Sequence, residues 1–362
     1  MRVLNLLPDQ GGGIESYYEQ VKKYFTDPVT YFIVGKRREE KGKLQQIRRM
    51  VSDYRHFLRL LKETQYDVIV VNPSLDAKGI VRDGIFLLIA KRKSIKTIIF
   101  FHGWLDTLGT LIQRYFLRLF RLVYGQTDAV VVLSERIRNI LISWGFRQPI
   151  YVEITSISDD LVNGFSFEDV FSKRMESQRW RLLFLSRILR QKGIYETIDA
   201  WALLKDKYSI DLLIAGDGKD LASVKRYVRD MKLNRVSFCG YVVGKEKDNL
   251  FKDAHLYCLP SYTEGMPVSV VEAMAYGLPV VTRWVGRLPE FFRNGEHGFA
   301  TNSKNPEVLR DLIERLYQDK KLYHEISSNN HTFAKSHFLA SEAASRLEKV
   351  YASVTQSSER RL

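Results

Sequence analysis

Cysteine is scarce in this sequence, and no apolar run is long enough to cross a membrane. The two cysteines, Cys239 and Cys258, lie in strand-like apolar contexts, and their spacing fits no zinc motif. We therefore expect buried, reduced thiols and a cytoplasmic protein. The longest apolar run of the N-terminal half, GIFLLIA, is bounded by Asp83 and Lys91, whereas a membrane-spanning helix needs about 18 apolar residues. The opening MRVLNLLPDQGGG has too short an apolar core for a signal peptide.

Acidic residues are also few in one part of the chain, which carries most of the positive charge. The formal net charge is +14, and residues 22–121 alone contain 21 Lys and Arg against 9 Asp and Glu. This asymmetry predicts a negatively charged partner, which is a membrane surface, an acidic acceptor or a nucleic acid. No zinc-finger, RNP-like or helix-turn-helix signature supports the nucleic acid, so we expect none.

The chain length and the patterning predict two α/β domains. Residues 2–153 alternate short apolar runs with helical patterns, which is typical of a parallel sheet covered on both faces. Residues 155–180 are polar and lack a clear period, so we expect an interdomain linker there. A second alternation of strand and helix begins with RLLFLS. The expected domains are therefore residues 1–154 and 181–337.

The stretch SYTEGMPVSVVEAMAYGLPVV, residues 261–281, reads as loop, helix, turn and strand. Pro267 suits the first turn of a helix, and Gly277 followed by Pro279 ends it. The N–H groups of Gly265, Met266, Val268 and Ser269 then point away from the helix start. Because aligned peptide dipoles make that end positive, we expect an anion to bind there.

Two glutamates flank this helix start. Glu272 is the only charge between Pro267 and Gly277, and its neighbours at i−4 and i+4 offer no ion pair. A carboxylate among apolar residues needs hydrogen-bond donors, and the vicinal diol of a ribose supplies two. For either glutamate alone, including Glu264, exposure to solvent is the simpler interpretation. The two together, beside an anion-binding helix start, favour a nucleotide site.

Further candidates follow strands, where open α/β sheets bind ligands. His102 follows TIIFF, and the turn RILRQKG carries Arg187 and Lys192, which suit phosphate oxygens. The turn PDQGGG brings Gly12 and Gly13 between a strand and a helix. The alternatives are a structural histidine, a solvated basic loop and a tight turn.

The spacing of Glu264 and Glu272 in EGMPVSVVEAMAYGLPVV resembles the E-x7-E segment of retaining nucleotide-sugar glycosyltransferases with the GT-B fold. The resemblance implies two Rossmann-like domains with a deep interdomain cleft, and a final helix, residues 338–356, that joins the N-terminal domain. It implies that the first glutamate contacts the donor sugar and the second holds the ribose hydroxyls.

The same resemblance assigns roles to the other candidates. SRILRQKG is similar to the family's diphosphate clamp, formed by Arg187 and Lys192, and His102 corresponds to a histidine that contacts the donor sugar. The loop with Gly12 and Gly13 is expected below the diphosphate. The loop with the sequence GYV, which comes later in the chain than Gly216, is expected beside the nucleotide base. The resemblance implies that Tyr241 and Val242 contact the base there, mainly through their backbone. Where the family has a second glycine before LPE, this chain has Arg287 near the expected donor site, so the resemblance does not define the sugar preference.

The predicted reaction is transfer of a sugar from a nucleoside diphosphate to an acceptor hydroxyl, with retention, in polysaccharide or glycolipid synthesis. A UDP-sugar is favoured over a GDP-sugar, and no cofactor is expected. No Asp-x-Asp motif occurs, so no metal is expected and cations replace it. The alternatives are a GT-B sugar epimerase, a phosphorylase, which usually needs a longer chain, and a nucleic-acid-binding protein.

Two N-terminal helical segments carry stripes of basic residues, which are Arg48, Arg55, Arg59 and Lys62 in the first and Arg114, Arg118 and Arg121 in the second. In the second, Leu108, Leu111, Ile112, Tyr115, Phe116, Leu119 and Val123 occupy the opposite side. Each helix singly is expected to be a core helix with a solvated basic back. Together they predict docking on an anionic membrane, on its cytoplasmic face, beside a lipid-linked or glycan acceptor.

Overall fold

The computed structural model describes residues 1–8, 13–35, 42–73, 77–102 and 104–356. The chain forms two compact units. The first comprises Met1–Ser156 together with the chain from Ala340 onward, and the second comprises Ile157–Leu339. Each unit has its own six-stranded sheet.

The sheet of the first unit is entirely parallel, with the strand order β2-β1-β3-β4-β5-β6. Its strands are β1 (Val3–Pro8), β2 (Val29–Val34), β3 (Val68–Val71), β4 (Lys96–Phe101), β5 (Ala129–Val132) and β6 (Ile150–Val152). Its helices before the second unit are α1 (Gly13–Val21), α2 (Lys43–Glu63), α3 (Ala77–Arg92), α4 (Asp106–Leu111), α5 (Leu117–Tyr124) and α6 (Glu135–Ser143). The apolar runs read from the sequence are thus confirmed as strands of a parallel sheet.

The second unit repeats this architecture, with the parallel order β12-β11-β10-β7-β8-β9. Its strands are β7 (Trp180–Leu185), β8 (Ile210–Ala215), β9 (Val236–Gly240), β10 (Leu256–Leu259), β11 (Val280–Arg283) and β12 (Gly298–Thr301). Its helices are α7 (Asp160–Asn163), α8 (Phe167–Glu176), α9 (Ile194–Ala202), α10 (Leu221–Asp230), α11 (Gly244–Asp253), α12 (Val268–Ala275), α13 (Leu288–Phe291), α14 (Pro306–Gln318) and α15 (Lys320–His337).

The last helix, α16 (Ala340–Gln356), belongs to the first unit. It packs with α1 on one face of the first sheet, where Ala343, Ala344 and Leu347 are buried. The other face is covered by residues of α2, α3, α5 and α6. Burial on both faces explains why β1, β3, β4 and β5 are apolar almost throughout instead of alternating, whereas the edge strand β2 is partly exposed.

Residues 157–180, expected to form most of a linker, belong instead to the second unit and contain α7 and α8. The Ser166 hydroxyl caps α8 by accepting the Asp169 N–H. Arg174, on α8, is buried, and its guanidinium donates to the carbonyls of Phe251 and Lys252. These long-range bonds order a segment whose local sequence shows no helical period.

The second basic helical segment departs from the expectation of a core helix. Between α4 and α5, residues Ile112–Phe116 form a π turn. Ile112 is buried, but Leu111, Phe116 and Leu119, all expected on the core side, are exposed. A π turn adds a residue to one helical turn and rotates the rest of the helix about its axis. The apolar face predicted from a regular helix therefore no longer faces the core as a whole.

Both cysteines are free, and Cys258 is buried as expected, whereas Cys239 is only half-buried. Burial raises the pKa of the Cys258 thiol to about 12 and also raises the pKa of Cys239. Both thiols therefore stay protonated and unreactive at neutral pH. Across the described residues, no helix combines the length and the apolar character needed to cross a membrane.

Candidate active site

The carboxyl edge of the second sheet brings together most of the predicted site residues. Arg187 follows β7, Gly216 follows β8, Tyr241 follows β9 and Glu264 follows β10. Because all strands are parallel, their carboxyl ends lie on one edge, where open α/β sheets bind ligands. The sequence predicted each of these positions correctly, while the roles of the residues stay predictions.

The start of α12 is accessible from this edge. The helix begins at Val268, directly after Pro267, and ends before Gly277, whose φ of +69° is left-handed as expected. Within the described part of the chain, the N–H groups of Gly265, Met266 and Val268 have no hydrogen-bond acceptor. They form the positive end of a helix that can receive an anion.

Gly286 holds the loop before α12 in place. Its φ is +56°, and a Cβ atom there would lie 2.1 Å from the Gly265 carbonyl oxygen and 2.7 Å from that of Glu264. The Arg287 N–H donates to the same Gly265 oxygen at 3.0 Å. Only glycine fits this position, since any side chain would displace the loop that carries Glu264.

Glu264 forms an ion pair that the sequence did not indicate. Lys192 Nζ lies 2.6 Å from Glu264 Oε1, and both side chains are largely buried. Lys192 ends a 3-10 turn, and Gly193 (φ +76°) precedes α9. Lys192 was predicted to bind diphosphate alone, but it also fixes the carboxylate predicted to contact the sugar. The two predicted functions therefore share one hydrogen-bonded pair.

Glu272 lies on α12 with its carboxylate buried and paired to Lys247 of α11, at 2.6 Å between Nζ and Oε1. Burial raises the pKa of Glu272, while Lys247 opposes the rise. Its Oε2 has no donor among the described residues. Part of the hydrogen bonding expected for the Glu272 carboxylate is therefore supplied by Lys247, and Oε2 stays available to a ligand.

A groove of about 300 Å³ lies beside this pair. Arg187, Gly216, Tyr241, Val242 and Lys247 all line it. Arg187 is exposed, and it has no carboxylate partner in the described chain. The groove therefore combines two cationic side chains, Arg187 and Lys247, with the aromatic ring of Tyr241, which suits a nucleotide.

Gly216 is required at its position. Its φ is +132°, and a Cβ atom would lie 1.9 Å from the Ser186 carbonyl oxygen. Its N–H donates to the Gly240 carbonyl at 2.6 Å, which ties the ends of β8 and β9 together. The glycine thus keeps the floor of the groove close to the backbone of the neighbouring strand.

Arg287, the departure from the family pattern, is buried and bonded within its own helix turn. Its guanidinium donates to Glu290 Oε2 at 2.8 and 2.9 Å. This ion pair neutralises much of its charge. The arginine therefore shapes the loop behind Glu264 while part of its hydrogen-bonding capacity is used by Glu290.

His102, in the first unit, follows β4 as predicted and packs against the ring of Phe100, with 3.7 Å between the ring centroids. Burial lowers the pKa of His102 to about 3, so the ring is neutral at working pH. Its Nε2 lies 2.9 Å from Asn72 Oδ1, which also accepts the Tyr18 hydroxyl.

The orientation of Asn72 fixes the tautomer of His102. Asn72 Nδ2 donates to Asn5 Oδ1 and to the Leu6 carbonyl, so its Oδ1 must be the acceptor. Nε2 of His102 therefore carries the proton, and Nδ1 is left as a hydrogen-bond acceptor. A neutral histidine of this kind can accept a hydrogen bond from a hydroxyl group, but it cannot act as a general acid.

The glycine turn of the first unit is only partly described. Gly12 lies outside the described residues. Gly13 is the first residue of α1, so the predicted change from strand to helix is present. The predicted contacts of both glycines with a donor stay predictions.

Sequence reasoning missed three residues that support the site, which are Lys247, Gly286 and Asn72. Lys247 was hidden in GKEKDNL, where charges follow one another without a period. Gly286 lies in the stretch before LPE, and the presence of a glycine at that position was the available signal. Asn72 directly follows β3 and is bonded to His102, and no local feature indicated that pairing.

Solved structures share this architecture. The crystal structure of Anabaena Alr3699/HepE in complex with UDP and glucose superimposes with a TM-score of 0.72, over 97% of this chain and 99% of that one. Sucrose-phosphate synthase from Thermosynechococcus elongatus superimposes with a TM-score of 0.73, over 98% and 99%. At 20% and 17% identity, these likenesses show the shared fold.

Two family models cover most of the sequence. The model of Glycosyltransferase Family 4 matches residues 12–152, and that of Glycosyl transferases group 1 matches residues 166–333. The chain belongs to the GT-B glycosyltransferases. The two models divide between the two units as the two halves of a GT-B protein do, and the predicted fold is confirmed.

A curated relative of this GT-B glycosyltransferase is N-acetyl-alpha-D-glucosaminyl L-malate synthase from Bacillus anthracis. It is 24% identical over an alignment of 255 positions, which covers 62% of this chain and 65% of the relative. The capsular polysaccharide biosynthesis glycosyltransferase CapM from Staphylococcus aureus is 23% identical over 66% of this chain and 64% of its own length. The chain thus spans slightly less than two thirds of each.

Proposed function

We propose that the protein transfers a sugar from a nucleoside diphosphate to an acceptor hydroxyl, with retention of anomeric configuration. The observation that carries this proposal is the arrangement around α12. Two lysine–glutamate pairs flank a helix start whose N–H groups are free, beside a groove lined by Arg187 and Tyr241. Such a site offers acceptors for hydroxyls and donors for phosphates at once.

Glu272 is the proposed ligand of the ribose. Its pair with Lys247 uses Oε1 and leaves Oε2 to accept a ribose hydroxyl. Glu264, held by Lys192, is the proposed contact of the donor sugar. Prepaired carboxylates need little reorganisation when a ligand arrives, which favours binding.

The leaving diphosphate is stabilised in this proposal by Arg187, Lys192 and the free N–H groups at Gly265 and Met266. Preorganised donors aimed at developing negative charge are usually the largest electrostatic contribution to catalysis. Since these cations can supply that charge, we propose that transfer proceeds without a divalent metal. Activity that survives a chelator supports this, and activity restored only by magnesium or manganese contradicts it.

A UDP-sugar is the proposed donor. The exposed ring of Tyr241 beside the groove gives a base a surface for stacking. The solved Anabaena structure of the same fold contains UDP and glucose, which makes UDP the first ligand to test. Thermal shift against UDP, GDP and ADP ranks the three, because a bound nucleotide raises stability by mass action.

The proposed acceptor is a glycan or a lipid-linked sugar at the cytoplasmic face of a membrane. CapM, one of the relatives, is named for capsular polysaccharide biosynthesis. On α2, Arg48, Arg55 and Arg59 are exposed and attract anionic lipids. Charge reversal at these three should reduce binding to phosphatidylglycerol vesicles, whereas equal binding to neutral vesicles contradicts the membrane partner.

The experiment that tests the transfer reaction follows the product by NMR. A UDP-sugar and a glycan acceptor should yield UDP and a glycoside whose anomeric configuration equals that of the donor. An inverted product contradicts retention. A rearranged nucleotide sugar without acceptor consumption indicates an epimerase instead.

A further inference from the structure

The ammonium group of Lys247 has more hydrogen-bonding capacity than its ion pair with Glu272 uses. A lysine ammonium has three N–H donors, and within the described chain Nζ donates one of them, to Glu272 Oε1 at 2.6 Å. The side chain of Lys247 is 25% exposed, and it lines the groove of about 300 Å³ beside the pair. Its remaining donors are therefore within reach of a ligand in that groove.

Glu272 presents the complementary group at the same place. Its side chain is 9% exposed, and its Oε2 accepts no hydrogen bond from the residues that the structure describes. Because Oε1 of the same carboxylate holds Nζ, the free donors of Lys247 and the free acceptor of Glu272 are neighbours. The pair thus offers a donor and an acceptor side by side.

The two helices that carry this pair are fixed to each other. Lys247 lies in the first turn of α11, and Glu272 lies within α12. A second side-chain bond joins the helices, since the Tyr276 hydroxyl donates to Asp248 Oδ1 at 2.9 Å. The rings of Phe251 and Tyr276 also stack, with 5.2 Å between their centroids. The position of Lys247 is therefore set by packing, and a ligand requires little reorganisation there.

One continuous segment connects the proposed base contacts with Lys247. Tyr241, Val242, Val243 and Gly244 line the same groove as Lys247. Gly244, with a φ of +54°, is the first residue of α11. Because the ribose of a nucleotide is bonded to the base, a lysine in the helical turn that follows the base loop suits a contact with the ribose.

The chemistry of the pair favours a hydroxyl over a phosphate. A phosphate oxygen bound to Lys247 would lie next to the carboxylate of Glu272, and like charges repel. The ion pair also neutralises much of the lysine charge. A hydroxyl group, by contrast, both donates and accepts hydrogen bonds. Two neighbouring hydroxyls, as on a ribose, can satisfy both members of the pair at once.

We propose that Lys247 is a specificity-determining residue that contacts the ribose of the donor nucleotide. One ribose hydroxyl accepts a hydrogen bond from Lys247 Nζ, while its neighbour donates to Glu272 Oε2. The donor is accordingly a sugar on a ribonucleoside diphosphate, because a deoxyribonucleoside diphosphate loses one of the two bonds. This inference rests on the proposed function, since it requires a nucleotide in the groove, and it adds a second residue to the ribose contact assigned to Glu272.

Titration calorimetry with UDP, 2′-deoxy-UDP and 3′-deoxy-UDP tests the inference. The wild-type protein should bind UDP about tenfold more tightly than either deoxynucleotide, since each lacks one hydrogen bond to a charged group. Lys247→Met should bind UDP and one of the two deoxynucleotides within about twofold of each other, and should keep its preference against the other. Glu272→Gln should lose most of the preference that Lys247→Met keeps.

Further variants separate recognition from stability. Lys247→Met leaves the buried Glu272 carboxylate without its partner, so the double change Lys247→Met and Glu272→Gln, which removes both charges, is measured as well. This double variant should bind all three nucleotides within about twofold of one another. Lys247→Arg keeps a cationic donor and should retain part of the preference. The matched control is Lys245→Met, which removes an exposed lysine of the same helix and should bind all three as the wild type does.

Two results overturn the inference while the nucleotide site stays intact. The first is a preference for UDP over both deoxynucleotides that is as strong in Lys247→Met, or in the double variant, as in the wild type. The second is a wild-type protein that binds UDP and both deoxynucleotides equally. A wild-type protein that does not bind UDP at all contradicts the proposed donor itself, and the inference with it.

Discussion

The lysines at the carboxyl edge of the second sheet and the arginines beside α5 carry the same charge in opposite surroundings. Lys192 and Lys247 each lie 2.6 Å from a buried or nearly buried glutamate. Arg118, Arg121 and Arg147 are exposed, without a carboxylate partner in the described chain. The comparison shows that net charge alone does not identify a site.

The difference has a physical consequence for how each region recognises a ligand. A cation held by a buried carboxylate has a fixed position, so its loss changes geometry as well as charge. An exposed, unpaired arginine acts through a screened field and contributes about 1 kcal/mol near an anionic surface. Substitutions at the paired lysines should therefore have much larger effects than substitutions at the exposed arginines.

Removing a paired lysine should have the largest effect. Lys192→Ala leaves Glu264 without its partner and removes a donor to the diphosphate, so turnover should fall on the order of 100-fold or more. Arg187→Ala should lower turnover in the same direction. The control is Lys207→Ala, which breaks an exposed pair with Glu314; it should leave turnover within about twofold, and an equal loss there would refute the distinction.

Acid should weaken nucleotide binding at the second pair. Burial raises the pKa of Glu272 above its ordinary value, so protonation begins at a higher pH than for an exposed glutamate. The proposed ribose contact needs the carboxylate, and affinity for UDP should therefore fall as the pH decreases through that raised pKa, by up to about tenfold per pH unit. The same raised pKa means that the folded state gains stability from this group at low pH, and loses it as the pH rises.

Calorimetry at pH 7.5, 6.5 and 5.5 measures this dependence. A Glu272→Gln protein removes the titrating group and should show weak affinity that changes little over the range. Equal pH dependence in the two proteins would show that another group is responsible.

The first unit should show a moderate effect at His102. Because the pKa of His102 is about 3, the pH profile of turnover should have no inflection near 6.5 from this residue. His102→Phe keeps the packing on Phe100 and removes the acceptor Nδ1, so turnover should fall about tenfold while UDP affinity is unchanged. An inflection near pH 6.5 that is present in the wild-type profile and absent in the His102→Phe profile would contradict a neutral histidine.

Removal of a single exposed arginine beside α5 should have the smallest effect. Arg118→Ala should weaken binding to phosphatidylglycerol vesicles about fivefold, which corresponds to about 1 kcal/mol. The effect should shrink as salt is raised. Vesicle titrations at two salt concentrations measure it, and a salt-independent loss would indicate a direct structural role instead.

The fold was predictable from the sequence because both sheets are parallel and buried on both faces. Strands such as β3 and β10 are therefore continuous apolar runs that are easily located. The positions of Arg187, Lys192 and Glu264 followed from the same pattern, since each lies in the loop between a strand and the next helix at the carboxyl edge of the sheet. The helix stop at Gly277 was also read correctly from one glycine and one proline.

Long-range pairing was not predictable. The bond between Lys247 and Glu272 joins α11 to α12 through two residues that are 25 positions apart in the sequence. Lys247 also lies among other charged residues, in a helix whose sequence resembles that of a solvated helix. The same holds for Arg174, whose burial orders a segment expected to be a linker. Single sequences show local periodicity, and contacts of this kind leave no periodic signal.

The exposed face of the α4–α5 segment was missed for a different reason. A helical wheel assumes a constant turn, and the π turn at Ile112–Phe116 breaks that assumption. Apolar residues counted as one core stripe are thereby divided between core and surface, with Phe120 buried and Leu119 exposed. No feature of the local sequence marked the turn.

The central claim is that the second unit binds a nucleoside diphosphate through Glu272, and titration calorimetry with UDP tests it most directly. Hydrogen bonds to a charged group contribute roughly 1.5–3 kcal/mol each, so Glu272→Ala should weaken UDP binding about tenfold or more. The control Glu246→Ala, an exposed glutamate on α11, should bind UDP as the wild type does. Unchanged UDP affinity in a folded Glu272→Ala protein would contradict the account.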